Sequence, residues 1–244
     1  MKTKFCLILF ISTIILLANN SNSPLEIIKK TENQFRSVDD YQVNMLISIA
    51  VPAFRMPKKK YQVFFKQPDK VKIKSKGFGL LPKTGMFTSP KENFNNLTNI
   101  RFADGYNKNS AQIKLVGDLI VDSLALEMPN DYARLTFKPT VDVIIDKKNW
   151  VITQVMTKID TLKIMEINNT YDFVSGIYYM PVKSTVEYFV KDARLTKWIK
   201  KDIGAIMGNQ KNMNIEDDMV RGIISVEYSK YKINKGIKDS VFDD

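Results

Sequence analysis

The stretch Y-Q-V-N-M-L-I-S-I-A-V, residues 41–51, decides the fold. Tyr41, Val43, Met45, Ile47, Ile49 and Val51 recur at every second position, and Gln42, Asn44 and Ser48 fall between them. Side chains alternate across a β-strand, so this spacing gives one apolar and one polar face, the mark of a half-buried strand. Pro52 to Pro57 makes a turn, and the period then resumes. Lys59–Lys66 puts Tyr61, Val63 and Phe65 on one face, and a short turn at Gln67-Pro68-Asp69 leads into Lys70–Lys76. There Val71 and Ile73 face inward, while Lys70, Lys72, Lys74 and Lys76 form a comb on the other face. Such a comb suits a solvated surface and guards a strand edge against unwanted pairing.

Further strands are expected downstream. Ala111–Asp118 buries Ile113 and Leu115, and Ala133–Lys138 buries Ala133, Leu135 and Phe137. Val141–Asp146 and Trp150–Thr157 flank a turn at Lys147-Lys148-Asn149. Leu162–Tyr171 and Val182–Val190 flank a turn at Ser175-Gly176, and Gly222–Ile233 is the last long strand. Roughly ten strands with short turns predict an antiparallel meander rather than βαβ units. A sheet this long must curl or close to cover its apolar face and protect its edges.

Two segments carry helical spacing. Leu25–Val38 sets Leu25, Ile28 and Phe35 near one face, and Pro24 suits the first turn. In Ala193–Met207, Leu195, Ile199, Ile203 and Ile206 make a stripe, with Arg194, Lys197, Lys200 and Lys201 elsewhere. That helix either plugs a core or lies on an anionic membrane.

The N-terminus reads as an export signal. Lys2 and Lys4 precede an uncharged apolar run from Phe5 to Ala18, which is shorter than the roughly 20 residues a membrane span needs. Residues 1–23 are taken as the signal peptide, cleaved between Ala18 and Pro24, with a retained N-terminal anchor as the alternative, and 24–244 as one domain. Cys6, the one cysteine, lies inside the apolar run, so the mature chain has no thiol for a disulfide or a metal. The formal charge is +11, of which the two signal lysines supply two. A basic exported protein meets anionic membranes or acidic partners, and no nucleic-acid recognition motif is present.

The sequence contains no histidine. This removes Ser-His-Asp and Cys-His catalysis and His-ligated zinc. No carboxylate pair stands out, and Gly77-Phe78-Gly79 has neither the spacing nor the helix of a phosphate loop. The expectation is a binding protein rather than an enzyme, with no cofactor and no metal.

Residues 77–90 break the strand pattern, setting Phe78, Leu80, Leu81, Met86 and Phe87 among Gly77, Gly79, Pro82, Gly85 and Pro90. This apolar loop is either a flap packed over the sheet or a mobile lid that touches membrane. Surplus inward-facing residues on the strands before it are candidates to line an apolar cavity: Met45, Ile47, Ile49, Tyr61, Val63, Phe65, Val71 and Ile73. The same residues also suit an ordinary core. Phe78, Leu80, Leu81 and Phe87 are the candidates for the lid or membrane-contact loop.

Two stretches carry a resemblance. The first, Tyr61 to Phe78, holds Phe65, Pro68, Asp69 and Lys70 in an F-x-x-P-D-K pattern; the second, Ile224 to Phe242, holds Tyr231, Asn234, Gly236, Ile237, Asp239 and Phe242. Together they resemble the outer-membrane lipoprotein-sorting family of LolA and LolB. The resemblance implies an unclosed β-barrel of mainly antiparallel strands, capped by a few helices and lined by apolar side chains. It further implies a periplasmic carrier that takes lipoprotein acyl chains or another lipid toward the outer membrane, with membrane donor and acceptor complexes as partners. The alternative within the same fold is a periplasmic lipid-sensing regulatory or binding module.

Overall fold

The computed structural model describes residues 23–51, 54–55, 57–75, 89–120, 139–190 and 220–243. Helix α1 (Pro24–Arg36) comes first, followed by β1 (Asp40–Val51), β2 (Phe54–Arg55), β3 (Lys59–Lys66) and β4 (Lys70–Ser75). The short helix α2 (Glu92–Asn95) precedes β5 (Leu97–Phe102), β6 (Gln112–Leu119), β7 (Pro139–Asp146) and β8 (Val151–Ile159). Last come β9 (Leu162–Val174), β10 (Tyr178–Val190), β11 (Val220–Ile233) and a single 3₁₀ turn, Asp239–Val241.

All eleven strands join one antiparallel sheet in the order β4-β3-β1-β11-β10-β9-β8-β7-β6-β5, with β2 folded back onto β1. The sheet does not close, and β4 and β5 are its two ends among the described residues. From β5 to β11 the described strands are neighbours in chain order, and β11 then pairs with β1, so that β4 and β5 end at opposite edges. This is the antiparallel meander expected from the strand periodicity, left open as the resemblance implies.

Register explains where the core lies. One row of inward side chains crosses seven strands: Leu115, Val143, Val155, Ile167, Val186, Ile224 and Ile49 stand opposite one another in turn. The next rows join Val226 to Ile47, and Tyr228 to Met45 to Tyr61. These side chains fill two clusters, one under β1, β3, β10 and β11 and one under β5 to β8. Each fully buried Val, Ile or Phe contributes about 1.5–3 kcal/mol, so the concave face supplies most of the stability.

Helix α1 spans both clusters. Ser23 caps it, its Oγ accepting from the Glu26 N–H at 3.3 Å, and Pro24 fills the first turn. Ile27 and Ile28 pack into the β5–β8 cluster, whereas Phe35 packs edge-on against Phe65 with ring centroids 5.3 Å apart. The helix thus lies across the hollow of the sheet and fixes its curvature.

Strand β5 lies outside the expected strands. Its alternation is broken at Asn99, which takes a left-handed backbone (φ 51°), and a register shift separates Thr98 from Arg101 in its pairing with β6. The expected strand Ala133–Lys138 and helix Ala193–Met207 lie outside the described residues. On the convex face, the buried Asp142 accepts from Lys114 and Lys158, each at 2.7 Å, which offsets the cost of its burial. No described helix is long and apolar enough to cross a membrane.

Candidate functional site

The structure separates the sequence candidates from a hollow formed among the described residues. Met45, Ile47, Ile49, Tyr61, Val63 and Phe65 are all buried in the cluster under β1 and β3, where they pack against Val186, Ile224 and Val226. Ile73 is half-buried against that cluster, and Val71, on the end strand β4, is 39% exposed. The structure therefore brings the β1 and β3 candidates together as neighbours, with β4 at their margin. Phe78, Leu80, Leu81 and Phe87 lie outside the described residues.

A cavity of about 420 Å³ opens beside this cluster, between α1 and strands β8, β9 and β10. Its roof is the second half of α1, through Thr31, Gln34 and Phe35, with Val38 just beyond the helix end. Its floor is Ile152 and Val155 from β8, Ile167, Asn169 and Tyr171 from β9, and Ser184 from β10. Tyr41 and Tyr228 close the side toward the β1–β3 cluster, against which Tyr178 also packs, and Trp150, Ile177 and Tyr179 complete the lining. None of the eight strand candidates lines it.

Strand lengths explain why a hollow forms here. β9 and β10 stay paired out to Val174 and Tyr178, but β8 leaves β9 after Gln154 pairs with Asn168. A register shift in the β7–β8 pairing, between Ile144 and Ile145, accompanies that divergence. The Ile152 carbonyl, left without a strand partner on β9, accepts instead from Asn169 Nδ2 at 3.1 Å and from the Tyr171 hydroxyl at 3.2 Å. Polar side chains thus satisfy backbone that the parting strands leave open.

The floor carries a short polar chain. The Ser184 hydroxyl donates to Asn169 Oδ1 at 2.7 Å, and the Tyr228 hydroxyl lies 3.3 Å from Ser184 Oγ. Behind it, the Tyr231 hydroxyl donates to the Pro181 carbonyl at 2.7 Å. Burial pushes the Tyr228 phenol up to about 12, partly opposed by the Ser184 hydrogen bond. Burial likewise raises Tyr41, Tyr171 and Tyr231, with neighbouring tyrosines adding to the effect. These phenols stay neutral near pH 7.

Among the 22 described residues of the lining there is no Asp, Glu, Lys or Arg. The lining is apolar and aromatic with a few neutral hydrogen-bonding groups, the usual composition of a small-molecule site. Among the described residues no group of three acidic residues is placed to hold a metal. Sequence reasoning passed over Asn169 and Ser184. Their signal was a polar residue at an inward register position, visible once Ile167 and Val186 are placed on the concave face.

The rim bears exposed apolar groups. The β9–β10 hairpin turns at Ser175 and Gly176, where Ser175 (φ 53°) and Gly176 (φ 72°) are left-handed. Phe173 and Ile177 flank the turn and are 57% and 74% exposed, with Phe173 packed on Tyr179. Ile177 and Tyr179 belong to both the hairpin and the cavity rim.

Fold and site together define an open antiparallel half-barrel with a neutral, aromatic-lined hollow under an N-terminal helix. No family model matches the sequence, and no curated protein matches it. Solved structures similar to it include a LolA superfamily protein from Nitrosomonas europaea, with 12% identity, 90% of this chain and 97% of that chain covered, and a TM-score of 0.45. A DUF1329 family protein from Desulfovibrio piger has 8% identity, 90% and 96% coverage, and a TM-score of 0.45. An outer membrane lipoprotein-sorting protein domain from Vibrio parahaemolyticus has 11% identity, 90% and 95% coverage, and a TM-score of 0.49.

Proposed function

We propose that this chain is an exported, periplasmic carrier that holds an acyl chain of a lipoprotein or another lipid between α1 and strands β8–β10 and delivers it toward the outer membrane. The observation that supports it is the cavity of about 420 Å³ lined by Ile152, Val155, Ile167 and five tyrosines. Each methylene moved from water into such a lining gains about 0.8 kcal/mol, so a single chain binds with useful affinity and leaves without covalent chemistry. Residues 1–23 act as the signal peptide in this reading, and 24–244 as the carrier domain. Segments 77–90 and 193–207 are the proposed membrane-facing parts, with membrane complexes as donor and acceptor.

The test is the ligand itself. The protein is purified from an exporting host, its organic extract is analysed by mass spectrometry, and binding of a fluorescent apolar probe is measured. Stoichiometric lipid, or probe displaced by acyl chains, is the expected result. A protein that carries no lipid and binds no probe overturns the reading.

A further inference from the structure

We propose that the cavity selects amphiphiles whose polar group is uncharged, an ester, amide or hydroxyl on an apolar chain, and rejects ionised headgroups. The inference rests on the carrier reading and specifies its ligand class. It follows from what is missing and what is present in the same lining. None of the 22 described residues that line the hollow bears a formal charge. A carboxylate or ammonium drawn in would lose its hydration and find no counter-charge, a cost far larger than that of burying a neutral polar group with a hydrogen-bond partner.

Charged groups near the wall are already committed elsewhere. Asp40, beside the lining residue Tyr41, is buried with its carboxylate turned to the backbone N–H groups of Lys235, Gly236 and Ile237. Lys30 meets the lining at the Trp150 ring, 4.5 Å from its centroid, from an exposed position. Neither enters the hollow.

Neutral partners for a ligand are present on both sides. From the roof, the Gln34 side-chain amide makes no hydrogen bond among the described residues and offers both a donor and an acceptor. Across from it, Asn169 keeps its second N–H, and the Tyr228 oxygen keeps acceptor capacity beyond its Ser184 contact. The Asn93 carbonyl oxygen, whose amide nitrogen is tied to the Pro90 carbonyl at 3.3 Å, also borders the space. Such groups recognise an ester, amide or hydroxyl and give an anion nothing to balance its charge.

The experiment compares ligands of one chain length against a bound fluorescent apolar probe at neutral pH. Dodecanol and methyl dodecanoate are expected to displace it at concentrations about tenfold or more below those needed for dodecanoate or dodecylamine. Gln34→Lys sets a cation in the roof and is expected to improve dodecanoate selectively. A monoacylglycerol and an N-acylated diacyl lipopeptide, both uncharged at the head, tell a free lipid from a lipoprotein as the source by which of them displaces at the lower concentration. Equal displacement by dodecanoate and dodecanol overturns the inference and leaves the carrier standing. Failure of the probe to bind overturns both.

Discussion

The Gly236 backbone N–H donates to Asp40 Oδ2 at 2.9 Å, tying the end of the chain to the start of the first strand. Lys235 and Ile237 donate to the same carboxylate at 3.0 and 3.1 Å, and Asn234 Oδ1 accepts from the backbone of Asp39 at 2.8 Å. Gly236 sits at φ 73°, where a side chain is strained, and Asn234 at φ 52°, a conformation asparagine tolerates well. Successive N–H groups in such a turn form a concave nest for an anion. Asp40 is 4% exposed, so its partners have no water to replace it.

Asp40→Ala leaves three inward N–H groups without an acceptor and is expected to lower unfolding stability by about 3 kcal/mol. Denaturant titration of the variant beside the parent checks this. Asp40→Asn, which keeps one acceptor oxygen, should fall between the two. A midpoint unchanged in Asp40→Ala would show that the nest is not a structural lock.

This clasp shows what was legible in the sequence. The two quoted motifs meet each other: Asp239 accepts from Lys66 at 2.8 Å and from Lys70 at 3.1 Å, while the Lys66 ammonium also donates to the Ile237 carbonyl. Gln67 joins in, its side-chain amide donating to the carbonyls of Phe35 and Val38. The motifs therefore mark the seam at one end of the half-barrel, far better than they mark a ligand. Strand alternation located β1, β3, β6 and β7 because those strands bury one face and wet the other. It did not locate the hollow, because a cavity depends on where β8 parts from β9, and that divergence has no local signature in hydropathy. Inward residues such as Met45 and Val63 carry the same pattern whether they face a ligand or one another.

Tyrosine burial predicts alkaline sensitivity. An unfolded tyrosine ionises near 10, whereas Tyr228 in the fold is pushed up to about 12, and Tyr41, Tyr171 and Tyr231 are also raised. The raised group is protonated in both states below pH 10, so its contribution is complete there. Above that the unfolded chain releases protons that the folded chain keeps, and stability falls as pH rises through about 12, by up to about 1.4 kcal/mol per pH unit for each such group. Thermal unfolding followed from pH 8 upward should show a falling Tm above about pH 10, and Tyr228→Phe should flatten that slope. A Tm independent of pH through this window contradicts the burial of these phenols.

Core and cavity separate by mutation. Met45 is 1% exposed and packs within the β1–β3 cluster, so Met45→Ala should cost about 3 kcal/mol of stability yet leave probe affinity within a factor of about two. Ile167 faces the hollow. Ile167→Trp fills that space and should weaken probe binding about tenfold or more, at a stability cost of about 1–3 kcal/mol. The reverse outcome, binding lost in Met45→Ala and kept in Ile167→Trp, would move the ligand to the residues under β1 and β3.

Phe173 and Ile177 stand out from the rim of the same hollow, and exposed apolar side chains beside a cavity mouth suit contact with a membrane during ligand exchange. A tyrosine such as Tyr179, which packs on Phe173, favours the interface, where its hydroxyl is wet and its ring apolar. Both residues lie on the surface at a hairpin tip, so replacing them costs the fold little. The variant Phe173→Ser should keep its unfolding midpoint, with a stability change of about 0.5 kcal/mol or less, and should still bind the probe. Its rate of probe transfer to neutral phospholipid vesicles should drop several-fold, read by the change in fluorescence after mixing. Transfer at the parent's rate would assign release to another part of the rim.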